Sequence, residues 1–366
     1  MKIDRITVTH VQIPLREPFR ISSGSVSAKD GIIVAVASDG VIGYGEASPM
    51  SGSFYSTDTP ESTWSVLEGE YIPRVLRAGI SSIEQLNAIL DEVPENSFAK
   101  AGLETAFWDL EAQKKGEPLH TFMGHSQRPV VSGLAVGIYP TIKDLLIAVE
   151  TYLAEGYKRL KIKIEPGWDT EVLGEIRKRF NDIPLMVDAN CAYTRKDIPE
   201  LRALDEFDLM MIEQPFPKED LAGHQLLQAS MRTPICLDES AIDADTVAKA
   251  IATKSCKIIN MKIQRVGGLL KAKQIREVCD RANIPVWAGT MPELGIGSAQ
   301  TLHMATHTSF RYPSDVHSSR RWFVDDIIEP LIEVVDGLIH IPVGAGNCYN
   351  VNQSVMKRYR LREMVF

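Results

Sequence analysis

The sequence predicts an α/β protein, a (β/α)8-type, TIM-like barrel carrying an α+β capping domain. Three observations point there. From Pro129 onward, short apolar runs alternate with amphipathic stretches, as parallel strands alternate with crossover helices. Three of those runs end on an acid, Asp188 in LMVDAN, Glu213 in MMIEQP and Asp238 in ICLDES, at equal steps of 25 residues. Before them, residues 1 to 60 read as strands and Thr59 to Gly116 as helices, which together make an α+β unit.

Within the cap, MKIDRITVTHVQIPL alternates apolar and polar residues, as a half-buried strand does. GIIVAVASDGVIGYGEA reads as a hairpin turning at Asp39-Gly40. SSIEQLNAILDEV and FAKAGLETAFWDLEAQKKG place apolar residues at three- and four-residue spacing, and the second stops at a glycine. Seven strand–helix pairs follow, beginning with VVSGLAVGI and TIKDLLIAVETYLAEG and closing with PVWAGT and IGSAQTLHMATH. An eighth strand is weakly marked; RYPSDVHSS, residues 311–318, is the best candidate. A closed barrel explains this count better than an open sheet, and the glycine-rich dinucleotide fingerprint is missing. The expected divisions are a cap over 1–125, a barrel over 126–320, and a segment over 321–366 returning to the cap. That last segment contains DGLIHIPV, read as a strand, and then a polar end.

Bulk composition excludes several classes. The 366 residues are 44% hydrophobic and 24% charged, with a net charge of −8 and no long basic run. Nucleic acid is therefore not an expected partner. The five cysteines are scattered without a C-x-x-C pair, which suits reduced thiols in a cytoplasmic protein. No apolar stretch approaches the roughly 18 residues of a membrane span, and the N-terminal pattern is that of a strand, not a signal sequence.

At the C-terminal ends of barrel strands side chains face the active site. Read singly, each of Asp188, Glu213 and Asp238 is a strand-end acid capping the next helix. Three in register on strands three, four and five point to a shared ligand. Carboxylates at close range need a cation, and oxygen donors without Cys or His suit Mg²⁺, or Mn²⁺. Asn190 should point the same way as Asp188, as a ligand-binding group or a helix cap. Glu239 should face away from Asp238 on an extended strand. Lys161 and Lys163 flank Ile162 and so share one face of strand two. Facing inward, their two ammonium groups should lower each other's pKa, as a base requires. Lys262, on strand six, can reach the opposite face of a substrate. Gly267-Gly268 after it suits a tight turn or a close backbone approach. His303 and His307 are spaced as a zinc pair, but without a metalloprotease glutamate a packing role is expected.

LKIKIEPGWD, VDAN, IEQPF, CLDES and MKIQRVGG resemble the strand-end motifs of the enolase superfamily, in its muconate lactonizing enzyme subgroup. AGLETAFWDLEAQKKGEPL and GYGEA resemble that subgroup's cap segments, so the resemblance spans nearly the whole chain. It implies Mg²⁺ on Asp188, Glu213 and Asp238, an acid/base pair of Lys163 and Lys262, and Lys161 as an electrostatic helper. EPGWD, NCAYT, ICLDES and PFRISSG are most similar to o-succinylbenzoate synthases and N-succinylamino acid racemases. GTMPELGIGSAQ resembles that group's Met-x-Glu-x-Gly block, with Glu293 at the matching acid, interrupted by Pro292. IPVGAGNCYNV replaces the usual Gly-Pro-Gly-Leu-Gly ending, and SDVHSS lacks the Asp-x-Asp of dipeptide epimerases.

The expected chemistry is abstraction of the proton α to a carboxylate, followed by dehydration in a synthase or reprotonation in an N-acylamino acid racemase. Muconate-type cycloisomerase and amino-acid-derivative epimerase activities are the alternatives. So is a metal-binding barrel used only for binding or structure. The substrate's distal group should be read by cap loops near Ser22–Ser25 and Met50–Asp58, with Ser22, Phe54 and Tyr55 as candidate contacts. The resemblance favours a homo-oligomer and a small carboxylic acid as the partner.

Overall fold

The computed structural model describes residues 2–52 and 56–366. Phe54 and Tyr55 lie outside the described residues. The cap is built on an antiparallel sheet of β1 (Arg5–Ile21), β2 (Gly24–Ser38) and β3 (Val41–Ala47). Asp39 and Gly40 both take positive φ, 52° and 78°, so the hairpin closes in the left-handed backbone that its twist prefers. One face of the sheet buries Ile6, Val8, Val34 and Val36; on the outer side of that layer α1 (Ile83–Asp91) packs against α2 (Ser97–Lys115), and α2 is the helix that lies on the sheet. Ser82 caps α1 by accepting the Gln85 N–H, and Gly116 ends α2 at φ 69°. Gly43 and Gly45 let α2 press directly on β3. A Cβ at either would stand 2.3 or 2.1 Å from a helix carbonyl oxygen.

Seven parallel strands in chain order form the barrel wall: β4 (Leu134–Val136), β5 (Leu160–Lys163), β6 (Leu185–Asp188), β7 (Ile212–Glu213), β8 (Ile235–Leu237), β9 (Ile258–Met261) and β10 (Val286–Ala288). Between them run α3 (Ile142–Ala154), α4 (Thr170–Arg179), α5 (Ile198–Ala203), α6 (Leu221–Ser230), α7 (Ala244–Ala252) and α8 (Leu269–Arg281). The 311–318 segment fills the remaining gap without forming a regular strand. Arg311 and Asp315 donate their N–H groups to Val286 O (3.0 Å) and Ala288 O (2.8 Å), while Ser314 bonds Val131 O (2.8 Å) on the other side. Pro313 has no N–H to contribute to a ladder. The barrel floor is plugged by Met186, Met211, Cys236, Ile258 and Trp287, so the interior is a packed core below the strand ends.

α9 (Gly295–Ala305) is buried between β3 and β10 and joins cap to barrel. Leu338–Ile339, from DGLIHIPV, pairs antiparallel with Val130–Val131 beside the barrel. The polar end is itself a strand, β11 (Arg360–Val365), which adds to the edge of β1 with Thr7 opposite Val365.

Candidate active site

The strand ends bring the three lysines and three acids into one buried layer. Asp188, Glu213 and Asp238 are fully buried, and no lysine of the trio is more than 7% exposed. Lys163 stands opposite Asp188 in register; its Nζ donates to Asp188 Oδ2 and to Asn190 Oδ1, both at 2.6 Å. Lys161 Nζ lies 2.6 Å from Asp315 Oδ2, 3.2 Å from Glu213 Oε2 and 3.3 Å from Asp188 Oδ2, over the Trp287 ring. Across the barrel, Lys262 Nζ donates to Asp238 Oδ2 at 2.7 Å, and Arg265 Nε lies 3.1 Å from Asp238 Oδ1. Each carboxylate is thus taken up by ammonium or guanidinium groups. Among the described residues no three His, Cys, Asp or Glu side chains stand as a metal-holding cluster.

The electrostatics follow from this pairing. Burial pushes Asp188 up, but Lys163 and Lys161 outweigh it and hold the carboxyl below its usual range. Asp238 is likewise held low, by Arg265 and Lys262. Glu213 is raised to about 8, by burial and then by the neighbouring Asp188. The expectation that paired ammonium groups lower each other's pKa fails for Lys161. Burial pulls it down, yet Asp315, Glu213 and Asp188 together raise it well above its ordinary value.

Other expected positions divide. Asn190 joins the site at φ 44°, bonding Lys163 on one side and Glu239 Oε1 (3.0 Å) on the other. Glu239 therefore does not face away from the site: regular strand ends at Leu237, and the alternation that would have pointed it outward has lapsed. Ser22, in the turn between β1 and β2, reaches toward the third strand end, its Oγ 3.5 Å from Ala189 O. Glu293 is buried behind the mouth, where it accepts the Met291 N–H (3.1 Å) and is raised to about 7 by burial and by Glu46. His303 and His307 pack. His303 Nδ1 accepts the His120 N–H at 3.0 Å, and His307 is held by Ser309 and Arg276.

Three site residues escaped the sequence reading: Asn260, whose Nδ2 donates to Glu213 Oε1 at 2.6 Å, Arg265 and Asp315. Asn260, on β9, sits two residues before Lys262, which directly follows that strand, and the spacing was a usable signal. Above the lysines a small cavity of about 30 Å³ is lined by Phe19, Ile21 and Met50 from the cap and by Pro292, His317 and Trp322 from the chain after β10. A larger groove, about 590 Å³, lies on the outer face of the cap sheet around Thr7, Ala35 and Tyr44, away from every one of these groups.

The chain as a whole has relatives among known proteins. Residues 144–355 match the family model described as enolase C-terminal domain-like. Residues 3–124 match the mandelate racemase / muconate lactonizing enzyme N-terminal domain. The chain belongs to the enolase superfamily. It is 42% identical to an o-succinylbenzoate synthase of Geobacillus stearothermophilus, over 100% of this chain and 98% of that protein. It is 39% identical to an N-succinylamino acid racemase of Amycolatopsis sp, over 94% of each. A solved structure of an enolase superfamily member from Listeria innocua Clip11262 superposes with a TM-score of 0.95 at 33% identity, covering 100% of this chain and 99% of that one. This superfamily member is an enzyme of the lyase or isomerase type, on the barrel-and-cap architecture its sequence predicts. Among the described residues no helix is long and apolar enough to cross a membrane.

Proposed function

We propose that the protein abstracts the proton α to the carboxylate of a small acid, with Lys163 and Lys262 as the acid/base pair. One observation carries this reading: the two ammonium groups, from β5 and from the residue directly after β9, four places apart around the wall, line the same cavity from opposite sides. A substrate between them would lose its α-proton to the neutral amine of one lysine and regain it from the other, or from the same one. Lys161, held protonated by Asp315, would stay a fixed positive charge facing the substrate carboxylate. The relatives support o-succinylbenzoate synthesis or N-acylamino acid racemisation as the net reaction.

Asp188, Glu213 and Asp238 fit a divalent cation by donor type, since all are hard oxygens. Glu213 Oε2 is moreover buried with no hydrogen bond, its contact with Lys161 being an ion pair out of line for one. Mg²⁺, or Mn²⁺, held there would supply Lewis-acid charge for the substrate carboxylate. A division into a cap of residues 1–125, a barrel of 126–320 and a returning segment of 321–366 completes the reading.

The test is solvent-deuterium uptake at the α-carbon of N-succinyl amino acids and of the synthase substrate, followed by proton NMR with Mg²⁺ and with EDTA. Lys163→Ala and Lys262→Ala should each keep exchange with one enantiomer of a racemase substrate and lose it with the other by about 10²-fold or more. Exchange at the wild-type rate in the double variant would end the proposal.

A further inference from the structure

Lys29 is a buried lysine with no place in the chemistry above. It lies on β2, only 4% exposed, and its Nζ donates to Ser48 O at 2.8 Å and Pro49 O at 3.0 Å. Those are the two carbonyls immediately before Met50, which lines the cavity beside Lys163 and Lys262. The same short segment is gripped from the barrel. Gln264, two residues after Lys262, donates from Nε2 to Glu46 O at 2.7 Å and accepts the Ser48 N–H at 3.0 Å. Glu46 in turn accepts the N–H groups of Leu294 and Gly297 at 2.8 Å each, at the start of α9. Asp30, steadied by His10 Nε2 at 2.8 Å, takes the Ser51 hydroxyl. Burying an ammonium group to hold neutral carbonyls of an irregular segment is costly. Burial draws Lys29 down to about 8, against the opposing pull of Glu46, Asp30 and Glu293. A segment needing only to be folded could close on its own backbone. One whose position must be exact over a reactive pair needs to be clamped.

We propose that Lys29 and Gln264 are positioning residues. From the cap and from the barrel they fix Glu46–Ser51 so that Met50 stands over the two lysines, and they thereby set which acids the site accepts. The inference rests on that cavity being the substrate site.

The experiment is steady-state kinetics over a panel of N-succinyl amino acids with Lys29→Met, Gln264→Met, Met50→Ala and the double variant Lys29→Met/Met50→Ala. Losing the clamp's hydrogen bonds should raise KM about tenfold for the best substrate, with kcat changed far less, and should reorder the panel. In the Met50→Ala background Lys29→Met should then add little to KM, because both changes act through the same side chain. Lys29→Arg, which keeps the donors, should recover part of the loss. The proposal is overturned if Lys29→Met lowers Tm but leaves KM and the substrate order at wild type, or if its effect multiplies independently with that of Met50→Ala. If Lys29→Met does not fold, Gln264→Met decides: an unchanged KM and order there overturn the proposal equally. Failure of the underlying functional reading looks different, since the wild-type protein would then exchange no α-proton in any acid of the panel.

Discussion

Asp315→Asn is the sharpest test of how the site is held together. The substitution keeps the shape of the side chain and removes its charge from between Lys161, 2.6 Å away, and Arg159, 2.8 Å away, in the barrel interior. Removing one member of a buried ion pair costs about 3–5 kcal/mol, because the remaining charge is left uncompensated. Here the survivors have other acceptors. Lys161 keeps Glu213 and Asp188, and Arg159 keeps Pro313 O (2.9 Å), Ser314 O (3.2 Å) and the Trp287 face. The loss should therefore sit at the low end, about 3 kcal/mol. At about 2 °C per kcal/mol for a chain of this size, Tm should fall by about 6 °C. Urea unfolding should show a lower midpoint at unchanged m. Salt should not close the gap, because the charges are buried. The pH dependence has a definite sign. Burial pushes Asp315 up, but Lys161 and Arg159 hold it well below its usual range. Its contribution is thus complete above pH about 4 and is lost as pH falls through the depressed value, so wild type and variant should converge in strong acid. A gap under about 1 kcal/mol at pH 7, or one abolished by salt, would refute the reasoning, since exposed pairs behave that way.

Gly268→Ala should cost more stability than Gly267→Ala. Both glycines have positive φ, but only at Gly268 would a Cβ lie 2.5 Å from the Glu104 carboxylate, which accepts the Leu269 and Leu270 N–H groups at the start of α8. Losing about 3 kcal/mol against about 1 in paired thermal melts would support the cap, and equal losses would refute it. His303 is drawn down to about 3 by burial, so between pH 6.5 and that value the unfolded chain binds a proton the folded one does not. His303→Gln should accordingly lose about 2 kcal/mol less than wild type between pH 7 and pH 5 in urea titrations, and parallel losses would sink the assignment.

What could be read from the sequence follows from where regular backbone stops. Asp188 and Glu213 are strand residues, and Asp238 directly follows one; there the alternation of faces, the equal steps and the inward lysines were all legible. One residue further on, legibility fails. Glu239 turns back to Asn190 because the chain has already left the strand. Arg265 comes to Asp238 from the short helix Ile263–Val266, whose direction no strand periodicity reports. Asp315 lies in a barrel position without a ladder, so no apolar run announced it. Glu293 was placed by resemblance, and the packing of α9 against β3 carries it behind the cavity. β11 was read as a polar end because it lies at a sheet edge, where alternate residues face water and few are buried.

β11 also imposes an order of events on folding. The first and last strands of the cap lie side by side, with some 350 residues of chain between Thr7 and Val365. During synthesis every barrel strand leaves the ribosome before β11, so the barrel can close while the outer edge of β1 still offers unpaired N–H and C=O groups. The cap sheet is therefore completed after the barrel has been synthesised, by a contact that closes a very long loop. Until then the β1 edge is a template for wrong pairing between nascent chains.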